Sequence, residues 1–173
     1  MKNFLNTELR KGKEVFIADT ARVIGQVDLG DEVSIWFGAV LRADGDSIQI
    51  GSRTNIQDNA VVHVDPGFPV KMGHDCIVGH AAIVHGAQLS DHVLVGMGAT
   101  IMNGCQVGEY SIIAASALLT ENTIVPPYSL VAGVPGKVIK TLTEAHFEKI
   151  RKNAESYVNL SKEYLDSSYN SNK

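Results

Sequence analysis

The chain has 173 residues, 45% of them hydrophobic, which suits one domain built on a single core. Its formal net charge of -4 comes from interspersed acids and bases with no basic face, which argues against nucleic acid and anionic membrane as partners. The opening Met1 to Thr20 holds no apolar run long enough for a signal-peptide core, and nothing later approaches the roughly 20 apolar residues of a membrane span. The expectation is a soluble cytoplasmic protein, in which Cys76 and Cys105, without CxxC spacing, are reduced packing residues.

Along the chain, aliphatic side chains return every six residues. The series runs Ile17, Val23, Leu29, Ile35, Leu41, then Ile50, Ile56, Val62, then Met72, Val78, Val84. From Leu89 it continues without a slip through Val95, Ile101, Val107, Ile113, Leu119, Val125 and Val131. Four positions after each residue of this last run stands a small or β-branched side chain, a rule that only Pro135 breaks. Six residues turn an α-helix by about 600°, so such aliphatics would scatter around its cylinder. Hairpin strands fail as well, because their alternation has period two. The pattern predicts an all-β solenoid in which each hexapeptide forms one short side, three sides close a coil, and stacked coils bury an aliphatic column.

The ruler is interrupted three times: Arg42 to Gln49 and His63 to Lys71 hold extra residues, and Val84 to Leu89 is one short. Insertions in a solenoid leave the coil as loops, and loops carry binding groups. Val64 to Pro69, with two prolines and a glycine, reads as one such loop. After Val131 the segment Ala132 to Lys137 ends the coils. Phe147, Ile150, Ala154, Tyr157, Val158, Tyr164 and Leu165 then recur at helical steps, which predicts an amphipathic helix packed along the solenoid or on a neighbouring copy. Thr141 with Glu144 has the form of a capping box, and Thr143 is the alternative cap. The organisation expected is a solenoid over residues 1–140, then a helix with a frayed tail from Ser167 over 141–173.

Six histidines are candidates for chemistry, and their phase separates them. Val62 and Val84 are each the third aliphatic of a run of three, so they belong on the same side of consecutive coils. His63 and His85 follow them by one position, which points both outward, one rung apart. Rungs lie about 4.8 Å apart, close enough for two imidazoles to converge on one ion. His80 sits near the preceding corner, out of reach of that ion within one chain. A three-fold assembly would bring it in from a neighbour, with two ligands from one subunit and one from the next. His74, His92 and His146 have no partner in phase and read as structural.

Leu41-Arg42-Ala43-Asp44, Thr54-Asn55-Ile56-Gln57-Asp58, Val62-His63 and Val78-Gly79-His80 through His85-Gly86, with the closing Ala132 to Lys137 and the terminal helix, resemble the γ-class carbonic anhydrases over nearly the whole chain. The resemblance implies a left-handed parallel β-helix with a C-terminal α-helix, a homotrimer, and zinc at the subunit interfaces. Handedness comes from the resemblance alone, since the general crossover rule favours the right-handed choice. His63 and His85 would come from one subunit and His80 from its neighbour. It assigns Gln57 to orient the zinc-bound water or hydroxide, Asn55 a place near the site, Tyr157 a place lining it, and Arg42, Asp44 and Asp58 the joining of subunits.

Three neutral imidazoles leave the ion's charge uncompensated, so a bound water ionises at a pKa of about 7 and can hydrate carbon dioxide to bicarbonate. The reading is therefore a carbonate dehydratase, a lyase. Zinc is the default ion, and ferrous iron or cobalt fits the same ligands. The chain departs from the family in lacking the loop glutamates that relay protons; Asp46 and Asp65 are the carboxylates on offer, and an ordinary aspartate is a weak proton acceptor, so low activity is one outcome. The alternatives are a CoA-dependent hexapeptide acyltransferase, a metal-dependent acyl-CoA thioesterase, and a non-catalytic metal-binding trimer.

Overall fold

The structure is a computed structural model and describes residues 9–167. The expected frayed tail lies, beyond Ser167, outside the described residues. The aliphatic column forms as the six-residue period requires. Every residue from Leu89 to Val131 on that ruler is at most 4% exposed. They point inward from three-sided coils whose short strands pair in parallel with the coils above and below.

Three faces result, and their outer surfaces differ. On the first, strands from Phe16–Ile17 to Ser129–Ala132 stack as seven rungs, with Lys137–Thr141 folding back antiparallel as an eighth. Its outward ladder runs Asn55, Ile77, Leu94, Ile112, Leu130 in register. The helix Glu144–Asp166 covers this ladder, burying Ile150, Ala154 and Val158. Trp36 stacks edge-on against Tyr157 at 5.5 Å and Tyr164 at 5.4 Å, and the Lys162 ammonium reaches Glu32 at 2.5 Å, so both apolar and ionic contacts pin the helix.

The second face carries Val40, Val61, Ile83, Thr100 and Leu118 outward, in register, and no segment among the described residues lies over it as the helix does over the first. Outward on the third face stand Gln49, Lys71, Gln88 and Gln106, a polar ladder suited to water that ends at the exposed Ile124.

Two sequence expectations are refined. The first insertion is not a loop detached from the ladder but part of a continuous strand, Val40–Ile50. Gly25 pairs with Ala43 and Val27 with Ile48, so residues 44–47 stand opposite Gln26 alone, and the extra residues are accommodated as a wide bulge. The helix is capped by Thr143 rather than Thr141, and His146 Nδ1 accepts the Thr143 N–H at 3.2 Å. One set of corners is turned by Glu32, Arg53, Asp75, His92, Tyr110 and Tyr128, all with φ between 51° and 63°. The left-handed turn thus recurs without the glycine signal that hairpins use.

Candidate metal centre

The second face begins at one corner with His80 and ends with His85, because the chain leaves Ile77–Val78, turns through Gly79 to Ala82, and enters Ile83–His85. Each edge of the face carries one group of polar side chains.

At the trailing edge His63 and His85 are paired in register, with ring centroids 4.8 Å apart. His63 Nδ1 lies 2.8 Å from His85 Nε2. The far nitrogens are occupied. His63 Nε2 meets Asp44 Oδ1 at 3.1 Å, delivered by the bulge, and a carboxylate only accepts, so the hydrogen is on Nε2. His85 Nδ1 meets Asn103 Oδ1 at 2.7 Å; the Asn103 amide group donates to Asp65 Oδ2 at 2.8 Å, which orients its carbonyl toward the ring. The ring hydrogen of His85 is therefore on Nδ1.

Held this way, the rings turn their remaining nitrogens, His63 Nδ1 and His85 Nε2, toward each other, the arrangement of two donors converging on one cation. Tetrahedral zinc at about 2.0–2.1 Å from each nitrogen would place them about 3.4 Å apart, so the rings need open by only about half an ångström. The donor set fits a divalent metal. Among the described residues, His63, Asp65 and His85 are the group whose ligand atoms lie within 4.8 Å of one another. His80 is not part of it.

At the leading edge His80 Nδ1 faces Asp58 Oδ2 at 2.8 Å, which leaves Nε2 as its bare nitrogen. His80, Gln57, Met97, Asn153 and Tyr157 line a cleft of about 300 Å³ beneath the helix. Gln57 donates through Nε2 to Asn55 Oδ1 at 3.0 Å, and both residues are buried. Among the described residues Asn55 Nδ2 has no hydrogen-bond partner. Burial, with Asp58 adding to it, pushes the Tyr157 phenol up.

The predicted site residues therefore fall into two groups within one chain: His63, His85, Arg42 and Asp44 in one, His80, Gln57, Asn55, Asp58 and Tyr157 in the other. Arg42 forms an ion pair with Asp44 of its own chain. Burial works to raise the Asp44 carboxyl, yet hydrogen bonds from Arg42 and His63 outweigh it and hold it below the usual range. Asp46 accepts the Ser47 N–H at 2.7 Å and the Gly67 N–H at 3.1 Å, so it ties the two insertions together. His74 Nδ1 accepts the Ser52 N–H at 3.1 Å, and His92 stacks on Tyr110 at 4.3 Å. His146 stands at the helix cap, and His92 Nδ1 is buried with no hydrogen-bond partner among the described residues.

Sequence reasoning missed Asn103. The signal was available, since Asn103 stands two positions past Ile101, the residue that pairs with Val84 immediately before His85. An amide in the middle of a repeat carries no chemistry until its neighbours are known.

The family described as bacterial transferase hexapeptide (six repeats) matches residues 86–121, and the solenoid is a left-handed β-helix of such repeats. The chain is 53% identical over 149 residues to a probable carbonic anhydrase of Methanocaldococcus jannaschii, covering 86% of this chain and 94% of that one. A carbonic anhydrase of Geobacillus kaustophilus is 42% identical, over 86% of this chain and 82% of its own length. Among solved structures, a hexapeptide transferase family protein of Anaplasma phagocytophilum is 40% identical with a TM-score of 0.87, over 90% of this chain and 92% of that chain. A putative acetyltransferase of Bacillus cereus is 34% identical with a TM-score of 0.90, over 92% of each chain. With relatives this similar along nearly their whole length, the chain belongs to the γ-class carbonic anhydrase family.

Proposed function

We propose that this protein hydrates carbon dioxide to bicarbonate at metal sites shared between the subunits of a homotrimer. The observation that carries the reading is the pair of imidazoles whose bare nitrogens converge at 2.8 Å while acceptors hold their other nitrogens. His80, its own far nitrogen held by Asp58, is the third ligand, supplied by a neighbouring copy. The largely apolar outer ladder of the second face supports the assembly, because it connects the two edges and, unlike the first, has no helix over it among the described residues. Packing the leading edge of one copy on the trailing edge of the next, three times around, closes a ring.

Zinc suits three imidazoles, and ferrous iron or cobalt would take the same donors. The ion supplies Lewis acidity, which makes water a nucleophile near neutral pH. The remaining work belongs to the chain. Gln57, its amide hydrogen committed to Asn55, keeps its carbonyl oxygen to accept a hydrogen from the attacking water and so aim its lone pair. Ile77, Leu94 and Met97 give the cleft apolar walls that suit a small linear substrate. Tyr157 closes the cleft, its ring fixed against Trp36. Asp44, itself paired with Arg42, holds His63 in one orientation from the bulge, and both lie where a neighbouring copy would meet the trailing edge.

Among the described residues no helix is long and apolar enough to cross a membrane, and both cysteines are free and buried, which suits a reducing compartment such as the cytoplasm. The test is a stopped-flow pH-indicator assay of carbon dioxide hydration on the metal-loaded protein. Hydration above the buffer rate that chelator abolishes and added metal restores supports the reading. A fully loaded protein no faster than buffer would sink it.

A further inference from the structure

We propose that Asn103 is a positioning residue that sets which nitrogen of His85 is offered to the metal; this rests on the metal-site reading above. The residue is built into place from three directions. Its Oδ1 lies 2.7 Å from His85 Nδ1, and its Nδ2 donates to Asp65 Oδ2 at 2.8 Å. Its backbone is held by the next residue, since the Gly104 N–H donates to the Gly86 carbonyl at 2.8 Å. Gly86 clears the space: a Cβ there would stand 2.2 Å from Asn103 Oδ1 and 2.7 Å from the Phe68 Cβ, at a φ of +56°.

The consequence is chemical. A carbonyl acceptor fixes the His85 hydrogen on Nδ1 and leaves Nε2 bare toward His63. An amide accepts the ring's hydrogen bond without taking up its proton, so the Asp65 charge acts from one hydrogen bond further away. Asp65, with one oxygen committed to Asn103, orients the amide. His63 is held by a carboxylate directly and His85 by a carboxylate through an amide, so the two ligands differ in basicity although they are equivalent in register.

The test uses Asn103→Leu, Asn103→Asp, and the exchange of Asn103→Asp with Asp65→Asn. Zinc affinity by chelator competition is expected to fall about 10- to 100-fold in Asn103→Leu. The exchanged pair, which restores an acceptor for His85 and reverses the bond to position 65, returns most of that loss. In metal-free protein carrying isotope-labelled histidine, nitrogen chemical shifts are expected to show His85 protonated on Nδ1 in the wild type and to lose that preference in Asn103→Leu. Wild-type zinc affinity in Asn103→Leu, or a His85 ring unchanged by that substitution, would overturn the proposal. A wild-type chain that binds no metal overturns the metal-site reading instead, while the ring state in the metal-free chain still decides what Asn103 does.

Discussion

His63 and His85 stand opposite each other on adjacent rungs, 22 residues apart in sequence yet paired residue to residue through Val61 with Ile83 and Val62 with Val84. Parallel pairing keeps side chains of equal phase stacked, so any two residues on one face that follow the aliphatic column by one position must point the same way. The insertion between them leaves the coil without changing that phase, because the chain rejoins the ladder at Val70–Met72.

His85→Ala is expected to empty the metal site and leave the solenoid intact. The ring takes no part in the aliphatic column, and its bond to Asn103 contributes about 1 kcal/mol. Metal analysis should fall to background while far-ultraviolet circular dichroism is unchanged. Loss of the β signal would show that the histidine is structural.

Shared sites predict complementation. His63→Ala and His80→Ala homotrimers should each lack metal, whereas mixed trimers refolded together in equal amounts should recover roughly a quarter of the sites, those where an intact His63 edge meets an intact His80 edge. Recovery of none would place the ligands within one chain.

Burial pushes the Cys76 thiol from 9.0 up to about 12, and its hydrogen faces the Ser90 carbonyl. A folded value above the unfolded one contributes stability that is fully present below about pH 9 and is lost as pH rises toward about 12, because the unfolded thiol ionises first. Urea titrations from about pH 8 to about pH 11 should show a shallower loss of stability in Cys76→Ala than in the wild type. Equal slopes would refute this.

Two isoleucines, Ile101 on the second face and Ile124 on the third, test the ruler. Ile101, wholly buried in the column, should cost about 2–5 kcal/mol on truncation to alanine. Ile124, 71% exposed on the third face, should change stability by less than about 0.5 kcal/mol. Thermal or urea denaturation reads both.

Much of this molecule is legible in its sequence because a solenoid converts position into direction. The six-residue period, the place of the insertions, the outward phase of His63 and His85 and the separate place of His80 all follow from which face each residue occupies. The helix was legible for a related reason, its period being 3.6 where the coils use six. Reading the first insertion as a free loop failed, because extra residues opposite Gln26 satisfy more backbone hydrogen bonds as a bulge than as a detached segment.

The amino-acid order alone determined the aliphatic column and the rungs on which the imidazoles ride, since both depend only on periodicity. Tertiary structure decided the partners of those imidazoles: Asp44 from the bulge, Asn103 from the next coil, Asp58 beneath the leading corner. It also decided that Asp46 is committed to backbone N–H groups and Asp65 to Asn103. Hydrogen-bond partners depend on distances of a few tenths of an ångström between segments joined by irregular chain, and no repeat in a sequence encodes those distances.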